Sequence, residues 1–369
     1  MKEVIFLTGS TGFLGAYLLR QLLCGHNNEI KQIIAFSRGK TQKEAERRVH
    51  QALWGLLPVR QRRGIISLLK VVRGDITKDN LGLSKNVYNQ LTKKVTIIYH
   101  GAALCVFKMP LPIIRKVNVD GTRNVLDFAV LCQKRGKLKS VHHISTVAIG
   151  GNKQGILYEN DLSLGQKFNN TYEQTKFEAE KLVRRYRKKG LPVSIYRPAI
   201  ITGDTATGHT SNFRVFYQPL HLFFHELFKE IPGDKNTRYS LCPVDSTAAA
   251  IIRISLHKNS LRKDTYHITN PHEVTFGLFL GTASRYFRFR KPKIVSKKSF
   301  SSKTITPLQM RLIQTYIPYF NYKLRFDSTN AQEILSKTSF KWPVIDKPFL
   351  EKQFKFCVQS GFLGKKRKK

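Results

Sequence analysis

The sequence is short of acidic residues, and this shortage sets its electrostatic character. Asp and Glu together number 24 against 64 Lys and Arg, so the formal net charge is +40 at pH 7. A field of this sign favours polyanionic partners, among which nucleic acid, an anionic membrane and phosphate-rich cofactors all qualify. The charge by itself does not choose among them.

Cysteines are also few, and long apolar runs are missing. The chain has 5 cysteines, with no CxxC pair, which argues against a disulfide framework and a zinc knuckle and fits a reducing compartment. No stretch approaches the roughly 18 apolar residues of a membrane span. The chain enters its first strand at once, so we expect no signal peptide. These features predict a cytoplasmic protein that is soluble or peripheral to a membrane.

What the sequence does contain is an alternation of β-branched runs and helical stretches. Its 369 residues, 41% of them hydrophobic, suffice for one large domain or two. This alternation predicts an α/β fold with a doubly wound parallel Rossmann sheet. The predicted strands are residues 4–8, 33–37, 68–72, 95–100, 141–145 and 193–196.

A glycine loop follows the first predicted strand and precedes a helix. Gly9, Gly12 and Gly15 have the spacing GxxGxxG rather than GxGxxG. Glycines here allow a tight turn and a close approach of the backbone to a pyrophosphate, which the positive end of the helix attracts. A plain strand-to-helix turn would look similar, but the placement favours a dinucleotide site.

The residues after the second predicted strand bear on which dinucleotide binds. An acidic residue there would bind the ribose 2′-hydroxyl, whereas this chain has Arg38, Lys40 and Arg48. Cationic donors suit a 2′-phosphate and therefore favour NADPH over NADH. Asp75, in the turn after the third strand, is a candidate acceptor for the adenine amine and is equally consistent with a plain turn residue.

Tyr172 and Lys176 form the candidate catalytic pair. They are four residues apart and so lie on one face of a helix. The ammonium lowers the pKa of the phenol and holds the nicotinamide ribose, which leaves the phenol as proton donor or acceptor. Tyr319 and Lys323 have the same spacing, but they follow all six predicted strands and are interpreted as packing or substrate-domain structure.

These residues occur within a series of motifs that resembles the extended short-chain dehydrogenase/reductases, and within them the thioester reductase and fatty acyl-CoA reductase group. The resemblance covers about two thirds of the chain. The motifs lie at residues 8–15 (TGSTGFLG), 38–48, 74–76 (GDI) with 81–83 (LGL), 100–103 (HGAA), 118–122 (NVDGT), 145–146 (ST), 172–176 (YEQTK), 196–198 (YRP) and 243–245 (PVD).

The resemblance implies roles for individual residues. Thr146 would be the hydroxyl partner of Tyr172, with Ser145 as the neighbouring candidate, and Lys176 would orient the cofactor. Pro198 and Ala199 would flank the nicotinamide. The other implied cofactor contacts are Thr8, Gly9, Thr11, Gly12, Phe13, Leu14, Gly15, Arg38, Arg48, Asp75, Ile76, Ala102, Ala103 and Asn118.

The function that follows is NADPH-dependent reduction of an acyl thioester, carried by coenzyme A or by an acyl carrier protein, to an aldehyde or an alcohol. Both carriers are anionic and so match the basic chain. Two alternatives remain: another enzyme of the extended family, such as a nucleotide-sugar epimerase or dehydratase or a hydroxysteroid-type dehydrogenase, and an NADPH-sensing module that binds anionic surfaces. A nucleic acid partner is not expected.

The remaining segments are assigned to the substrate side. Residues 1–204, completed by about 241–270, are predicted to bind NADP(H), and residues 205–240 and 271–369 to form a mostly helical cap with a basic tail. An aromatic stripe at residues 213–228 is interpreted as core or as the wall of an acyl channel. His221 and His225 lack the glutamate of a zincin motif, so no metal site is predicted. Cations interleaved with aromatics at 285–291, and the tail 365–369, are compatible with contact to anionic lipid.

Overall fold

The central feature of the computed structural model is a seven-stranded parallel sheet; the structure describes residues 2–25, 29–57, 62, 64, 67–300 and 305–364. The strand order is β12-β7-β5-β4-β1-β2-β3, and every neighbouring pair is parallel. The strands of the sheet are β1 Glu3–Thr8, β2 Ile30–Ser37, β3 Leu69–Arg73, β4 Ile97–His100, β5 Ser140–Ile144, β7 Val193–Pro198 and β12 Thr265–Ile268.

The other strands are short and form two-stranded pairs outside this sheet. They are β6 Gly155–Leu157, β8 Ile200–Thr202, β9 Glu230–Pro232, β10 Arg238–Tyr239, β11 Leu241–Pro243, β13 Val274–Thr275, β14 Lys293–Val295 and β15 Leu324–Phe326. The helices are α1 Phe13–Gly25, α2 Gln42–Trp54, α3 Lys85–Lys94, α4 Leu111–Arg115, α5 Gly121–Arg135, α6 Thr171–Lys188, α7 Tyr217–Phe224, α8 Val244–Leu256, α9 Phe276–Phe287, α10 Pro307–Ile313, α11 Ile317–Phe320, α12 Thr329–Leu335 and α13 Lys347–Gln359.

Helices cover both faces of the sheet, and this confirms the predicted doubly wound α/β fold. One face is buried by α1, α2, α8 and α12, and the other by α3, α5 and α6. Because both faces are covered, the strands are nearly continuous apolar runs, as the buried stretches of β1 and β2 show. All six predicted strands are present, and β12 adds a seventh at the edge beside β7.

The strand order reverses between β1 and β4. From β1 the chain proceeds outward through β2 and β3, whereas β4, β5 and β7 lie on the other side of β1. Adjacent crossovers therefore diverge at this point and leave a crevice beyond the carboxyl ends of β1 and β4. The glycine loop follows β1 directly, so the fold places it in this crevice.

A second hydrophobic core belongs to a region that we call the cap, built from α7, α9, α10, α11 and α13 with β9, β10, β13 and β14. Residues 329–335, assigned from sequence to the cap, pack elsewhere. Ala331, Ile334 and Leu335 of α12 belong to the core shared with α1 and α8. The assignment from sequence differs from the structure because the apolar face of α12 packs against the sheet layer. Hydrophobic periodicity predicts that a helix has an apolar face, but not which part of the protein that face contacts.

Two basic segments, residues 285–291 and the tail 365–369, are predicted from sequence to be compatible with contact to lipid. No helix within the described ranges is long and apolar enough to cross a membrane. In the segment 285–291, Phe289 is buried and Phe287 packs against the cap core, whereas Tyr286 is exposed. The basic tail 365–369 lies outside the described residues.

Candidate active site

The glycine loop has the geometry that a phosphate-binding turn requires. Gly9 has φ of +78°, and a Cβ there would lie 2.7 Å from the backbone nitrogen of Ala102. A Cβ on Gly15 would lie 2.0 Å from the Gly9 carbonyl oxygen. Side chains at these two positions would thus collide with backbone, so each glycine is required by close packing. Helix α1 begins at Phe13, and the first N–H groups of a helix have no partner inside it.

The structure brings the two predicted arginines together after β2. Arg48, on α2, donates from Nη1 to the carbonyl oxygen of Arg38 at 3.2 Å. Arg38 itself is exposed directly after the last residue of β2. Two cationic residues therefore lie near the carboxyl end of β2, beside the strand that the glycine loop follows.

The other predicted cofactor residues divide into structural and cavity-lining groups. Asp75 accepts hydrogen bonds from the backbone N and Oγ1 of Thr77, both at 2.9 Å, and so forms an Asx turn. Buried Ile76 contacts the position where Gly121 lacks a Cβ. Thr8 is buried, and its hydroxyl is hydrogen-bonded to Nδ1 of a buried histidine at 2.8 Å. The members that line a cavity are Phe13, Leu14, Ala103, Pro198 and Ala199.

Asn118 lies in a π-helical turn, Lys116–Asp120, between α4 and α5. Its Oδ1 accepts from the backbone N of Leu104 at 2.7 Å, and its Nδ2 donates to the Leu104 carbonyl and to Thr175 Oγ1. Asn118 therefore ties the loop after β4 to helix α6. Single π-helical turns of this kind are frequent at functional sites.

Tyr172, Thr146 and Lys176 converge at the carboxyl ends of β5 and β7. Tyr172 and Lys176 project from the first turns of α6, and the Tyr172 hydroxyl lies close to the side chains of Thr146 and Cys105. Thr146 lies two residues after the end of β5, and its Oγ1 contacts the Pro198 carbonyl at 3.4 Å. Lys176 is buried and donates from Nζ to a carbonyl oxygen at the end of β5 at 2.7 Å.

Burial controls the protonation of this group. Desolvation raises the pKa of Tyr172 well above its ordinary value, and the hydrogen bond from Thr146 opposes that rise. Desolvation also lowers the pKa of Lys176 to about 8, against the attraction of Glu180. The phenol is therefore protonated at neutral pH and available as a hydrogen-bond donor.

Ser145, the alternative candidate for the hydroxyl partner of Tyr172, is hydrogen-bonded to a buried glutamate instead. Its Oγ donates to Glu180 Oε2 at 2.7 Å. Glu180 is fully buried on α6 and forms an ion pair with the fully buried Arg197 of β7, with Nη2 and Oε1 at 2.5 Å. Ser145 thus stabilises the ion pair that fixes α6 on the sheet, which leaves Thr146 as the hydroxyl that reaches Tyr172.

One cavity of about 420 Å³ joins the glycine loop to the cap. Gly9, Gly12, Thr146, Tyr172 and Lys176 line its sheet side. The opposite side is aromatic and consists of Phe216, Tyr239, Phe276, Phe279, Tyr316, Tyr319 and Phe320 from the cap, with Tyr322 and Phe326 from the segment that follows α11. An apolar chamber that opens on a Tyr–Lys pair suits a substrate whose reacting group is polar and whose remainder is apolar.

The aromatic stripe at residues 213–228 proves to be mainly core. Leu220, Phe223 and Phe228 are buried in the cap core, whereas Phe216 lines the cavity. His225 Nε2 is hydrogen-bonded to the carbonyl of Leu363 at 2.9 Å. Across the ranges that the structure describes, no three His, Cys, Asp or Glu side chains are grouped to hold a metal ion.

Several site residues escaped the sequence interpretation. Cys105 contacts the Tyr172 hydroxyl, and the ring of Phe107 lies 6.0 Å from that of Tyr172. Glu173 is buried beside it and bonds the hydroxyl of Tyr319. In the sequence, the repeated Tyr–Lys spacing at Tyr319 and Lys323 was the one feature that drew attention to Tyr319. That spacing could not predict the contact with Glu173, because a four-residue period does not identify which surface a helix will contact.

Similarity to known proteins agrees with this geometry. The model of the NAD-binding male sterility protein family matches residues 7–251. The large subunit of L-2-aminoadipate reductase from Penicillium chrysogenum is 30% identical over 304 residues, which cover 77% of this chain and 21% of that protein. One of the chains of the linear gramicidin synthase of Brevibacillus parabrevis is 30% identical over 281 residues, which cover 74% of this chain and 5% of that protein.

Among solved structures, the terminal R domain from the myxalamid PKS-NRPS biosynthetic pathway is similar over nearly the whole chain. The TM-score is 0.84 at 27% identity, with 99% of this chain and 93% of that chain covered. This chain therefore spans a small part of the two curated relatives, while it spans nearly all of one separate domain.

Proposed function

Because the chain belongs to the NAD-binding male sterility family of extended short-chain dehydrogenase/reductases, we propose that it is an NADPH-dependent reductase of acyl thioesters that yields an aldehyde or an alcohol. The observation that carries the proposal is the shared cavity. The glycine loop, the group of Thr146, Tyr172 and Lys176, and an aromatic chamber all open into it.

The residues around the loop fit an NADP-type cofactor. Gly9 and Gly15 leave room for a pyrophosphate against the backbone, and Arg38 with Arg48 supports a 2′-phosphate. Bound NADPH supplies a hydride to the carbonyl carbon of the thioester. The adjacent Lys176 would hold the ribose hydroxyls, and the cavity-lining pair of residues 198 and 199 would flank the nicotinamide.

Tyr172 and Thr146 act on the carbonyl oxygen. Both residues line the cavity, and their hydroxyls lie close to each other. A protonated Tyr172 donates to the oxygen as negative charge develops there, and transfers its proton to give a hemithioacetal. As the C–S bond breaks, the hemithioacetal hydroxyl returns its proton to the Tyr172 phenolate, the departing thiolate takes up one proton from solvent, and an aldehyde and a thiol remain. A second molecule of NADPH, exchanged for the oxidised cofactor, would supply the hydride that reduces the aldehyde to the alcohol, with Tyr172 again as the proton donor.

The substrate is proposed to be bound to a carrier through a thioester. The relatives include a chain of a gramicidin synthase and the R domain of a PKS-NRPS pathway, which supports a carrier-protein substrate. Among the described residues that line the cavity, the charged ones are Lys176, Arg214 and Arg238, and all three are cationic. This charge supports anionic ligands such as the cofactor and a phosphopantetheine arm.

We also propose which parts of the chain bind the cofactor and which bind the substrate. Residues 1–204 with 241–270 would hold the cofactor, as their strands and helices build the sheet layers. The cap, together with the aromatic residues that it contributes to the cavity, would hold the acyl group. Helix α12 is assigned to the cofactor part, because its apolar side chains pack in the sheet layer.

To test the proposal, purified protein is incubated with NADPH or NADH and with an acyl thioester of coenzyme A, of a carrier protein or of pantetheine, and oxidation of the cofactor is measured. We expect oxidation of NADPH and release of a thiol. Tyr172→Phe is expected to abolish reduction while NADPH affinity stays nearly unchanged, because the phenyl ring remains and only the proton donor is lost. No oxidation with any thioester, together with turnover of a nucleotide sugar or a secondary alcohol, would refute the proposal.

A further inference from the structure

Tyr319 of the cap reaches the catalytic helix through its hydroxyl. The hydroxyl donates to Glu173 Oε1 at 2.5 Å and accepts from Asn170 Nδ2 at 2.7 Å. The ring of Tyr319 is stacked on Phe107 with centroids 5.8 Å apart, and Phe107 in turn lies against Tyr172. A single cap side chain thus contacts the neighbourhood of Tyr172 in two ways.

The two partners of Tyr319 have defined positions on helix α6. Asn170 is its N-cap residue, and its Oδ1 accepts from the backbone N of Glu173 at 3.0 Å. Glu173 is therefore the third residue of the helix, and Tyr172 is the second. Tyr319 holds the residues on either side of Tyr172 and in this way restrains the backbone from which the phenol projects.

The hydroxyl of Tyr319 is hydrogen-bonded to Glu173 and Asn170, whereas Lys323 is exposed. The carbonyl oxygen of Lys323 accepts from the backbone N of Gly155 in the pairing of β6 with β15. The partner of the Tyr319 phenol is instead the carboxylate of Glu173. Burial, and after it the charge of this carboxylate, raises the pKa of Tyr319 far above its ordinary value. Tyr319 therefore stays protonated and remains a donor.

Glu173 has an unusual environment for a carboxyl group. It is 1% exposed, and Tyr172, Tyr319 and Tyr322 are the titratable groups that face it. Burial raises its pKa, and hydrogen bonds from Tyr319 and from Asn169 oppose that rise. The charged carboxylate thus depends on its donors, of which Tyr319 is the one that comes from the cap.

The cap side of Tyr319 belongs to the wall of the cavity. Its carbonyl oxygen accepts from the hydroxyl of Tyr239 at 2.9 Å, and its backbone N donates to the carbonyl of Tyr316 at 2.9 Å. Tyr239 and Tyr316 both line the cavity. Tyr319 therefore contacts both the aromatic wall of the cavity and the helical turn that carries Tyr172.

We propose that Tyr319 is a positioning residue that acts through Glu173 and Phe107 to place the Tyr172 hydroxyl, so that proton donation depends on a correctly seated cap. This inference rests on the proposed reductase function and deepens it. Tyr319 donates no proton to substrate. Its contribution is expected in the rate of reduction rather than in cofactor binding, because the cofactor contacts lie on the sheet side.

The test compares Tyr319→Phe and Glu173→Gln with wild type in the full chain, using NADPH and an acyl-pantetheine thioester. Tyr319→Phe removes one hydrogen bond to a charged group, and we expect kcat to fall about 10-fold or more, with a smaller change in KM and an unchanged Kd for NADPH. Tyr286→Phe is the control, since Tyr286 lies on α9 of the cap outside the residues that line the cavity.

The pH profile separates positioning from general loss of structure. The carboxylate of Glu173 is lost as the pH falls through its pKa, and Tyr319 normally lowers that pKa. Tyr319→Phe is therefore expected to shift the acid limb of kcat to higher pH. Glu173→Gln is expected to remove this limb, because an amide oxygen accepts at every pH. Wild-type kcat and pH profile in Tyr319→Phe would overturn the inference.

Amide hydrogen exchange gives a readout that needs no turnover. Tyr319→Phe is expected to speed exchange in a peptide covering residues 170–176, whereas Tyr286→Phe should leave it at the wild-type rate. If wild type reduces no thioester, the proposed function fails, and exchange still decides whether Tyr319 restrains this turn. Unchanged exchange in Tyr319→Phe would refute the restraint itself.

Discussion

At the scale of single residues, selection of the cofactor is proposed to depend on the arginines after β2. Arg48 spans from α2 to the carbonyl of Arg38. We expect Arg48→Ala to raise the KM for NADPH about 10-fold or more, as a charge-assisted hydrogen bond to phosphate is lost. The KM for NADH should not change, because NADH has no 2′-phosphate. Steady-state kinetics with both cofactors measures the difference.

Arg47 supplies the matched control, because it is the exposed neighbour of Arg48 on the same helix. Arg47→Ala removes the same charge and should leave both KM values within about twofold, since a surface charge contributes little. An equal rise of KM for NADPH and NADH in Arg48→Ala would instead indicate damage to the loop that both cofactors share.

Local sequence could predict some of these residues and not others. Gly9 and Gly15 are recognisable because a strand-turn-helix unit fixes their surroundings within a few residues. Tyr172 and Lys176 are recognisable because helical periodicity places them on one face. The bond between Tyr319 and Glu173 joins positions 146 apart in the chain. No local period marks such a pair, so only the folded structure identifies it.

At the scale of elements, Glu159 joins strand β12 to helix α12. It is 2% exposed, and its carboxylate accepts from the backbone N of His267 at 2.7 Å, of Asn330 at 2.6 Å and of Ala331 at 3.2 Å. Glu159→Ala would leave the N–H groups of the buried His267 and Ala331, and that of the half-buried Asn330, without this acceptor. We expect the free energy of unfolding to fall by about 3 kcal/mol, measured by guanidinium denaturation.

The control for this prediction is Glu333→Ala on the same helix. Glu333 pairs with Lys337 at 3.7 Å, and both side chains are more than half exposed, at 54% and 57%. Removing such a pair should change the free energy of unfolding by less than about 0.5 kcal/mol. Similar losses in the two variants would show that the carboxylate of Glu159 has no special role in docking α12.

The sequence predicted the strands of the central sheet, but not the short strands outside it or the packing of α12. Six strands of the sheet follow from apolar runs, because a parallel strand buried on both faces must be apolar throughout. The pairs outside the sheet consist of strands of two or three residues, which are too short to show a period. Helix α12 has a visible apolar face, but the sequence does not say whether that face meets the cap or the sheet.

At the scale of the whole molecule, the net charge of +40 should govern encounter with anionic substrates. We expect kcat/KM for an acyl-CoA to fall severalfold as ionic strength rises to about 0.15 M, because salt screens long-range attraction. An uncharged acyl-N-acetylcysteamine thioester serves as the control and should be nearly insensitive. Parallel declines for the two substrates would point to salt acting on the enzyme rather than on encounter.

The position of Glu159 has a consequence for synthesis of the chain on the ribosome. Its acceptor oxygens are matched by N–H groups at residues 267, 330 and 331, so the carboxylate leaves the ribosome long before its partners do. During that interval the edge of the sheet beside β7 is open, and the Glu159 carboxylate has none of its three backbone donors. A nascent chain therefore exposes the edge of β7 until β12 has been made and the face that α12 covers until α12 has been made, which is the period in which chaperone binding would matter most.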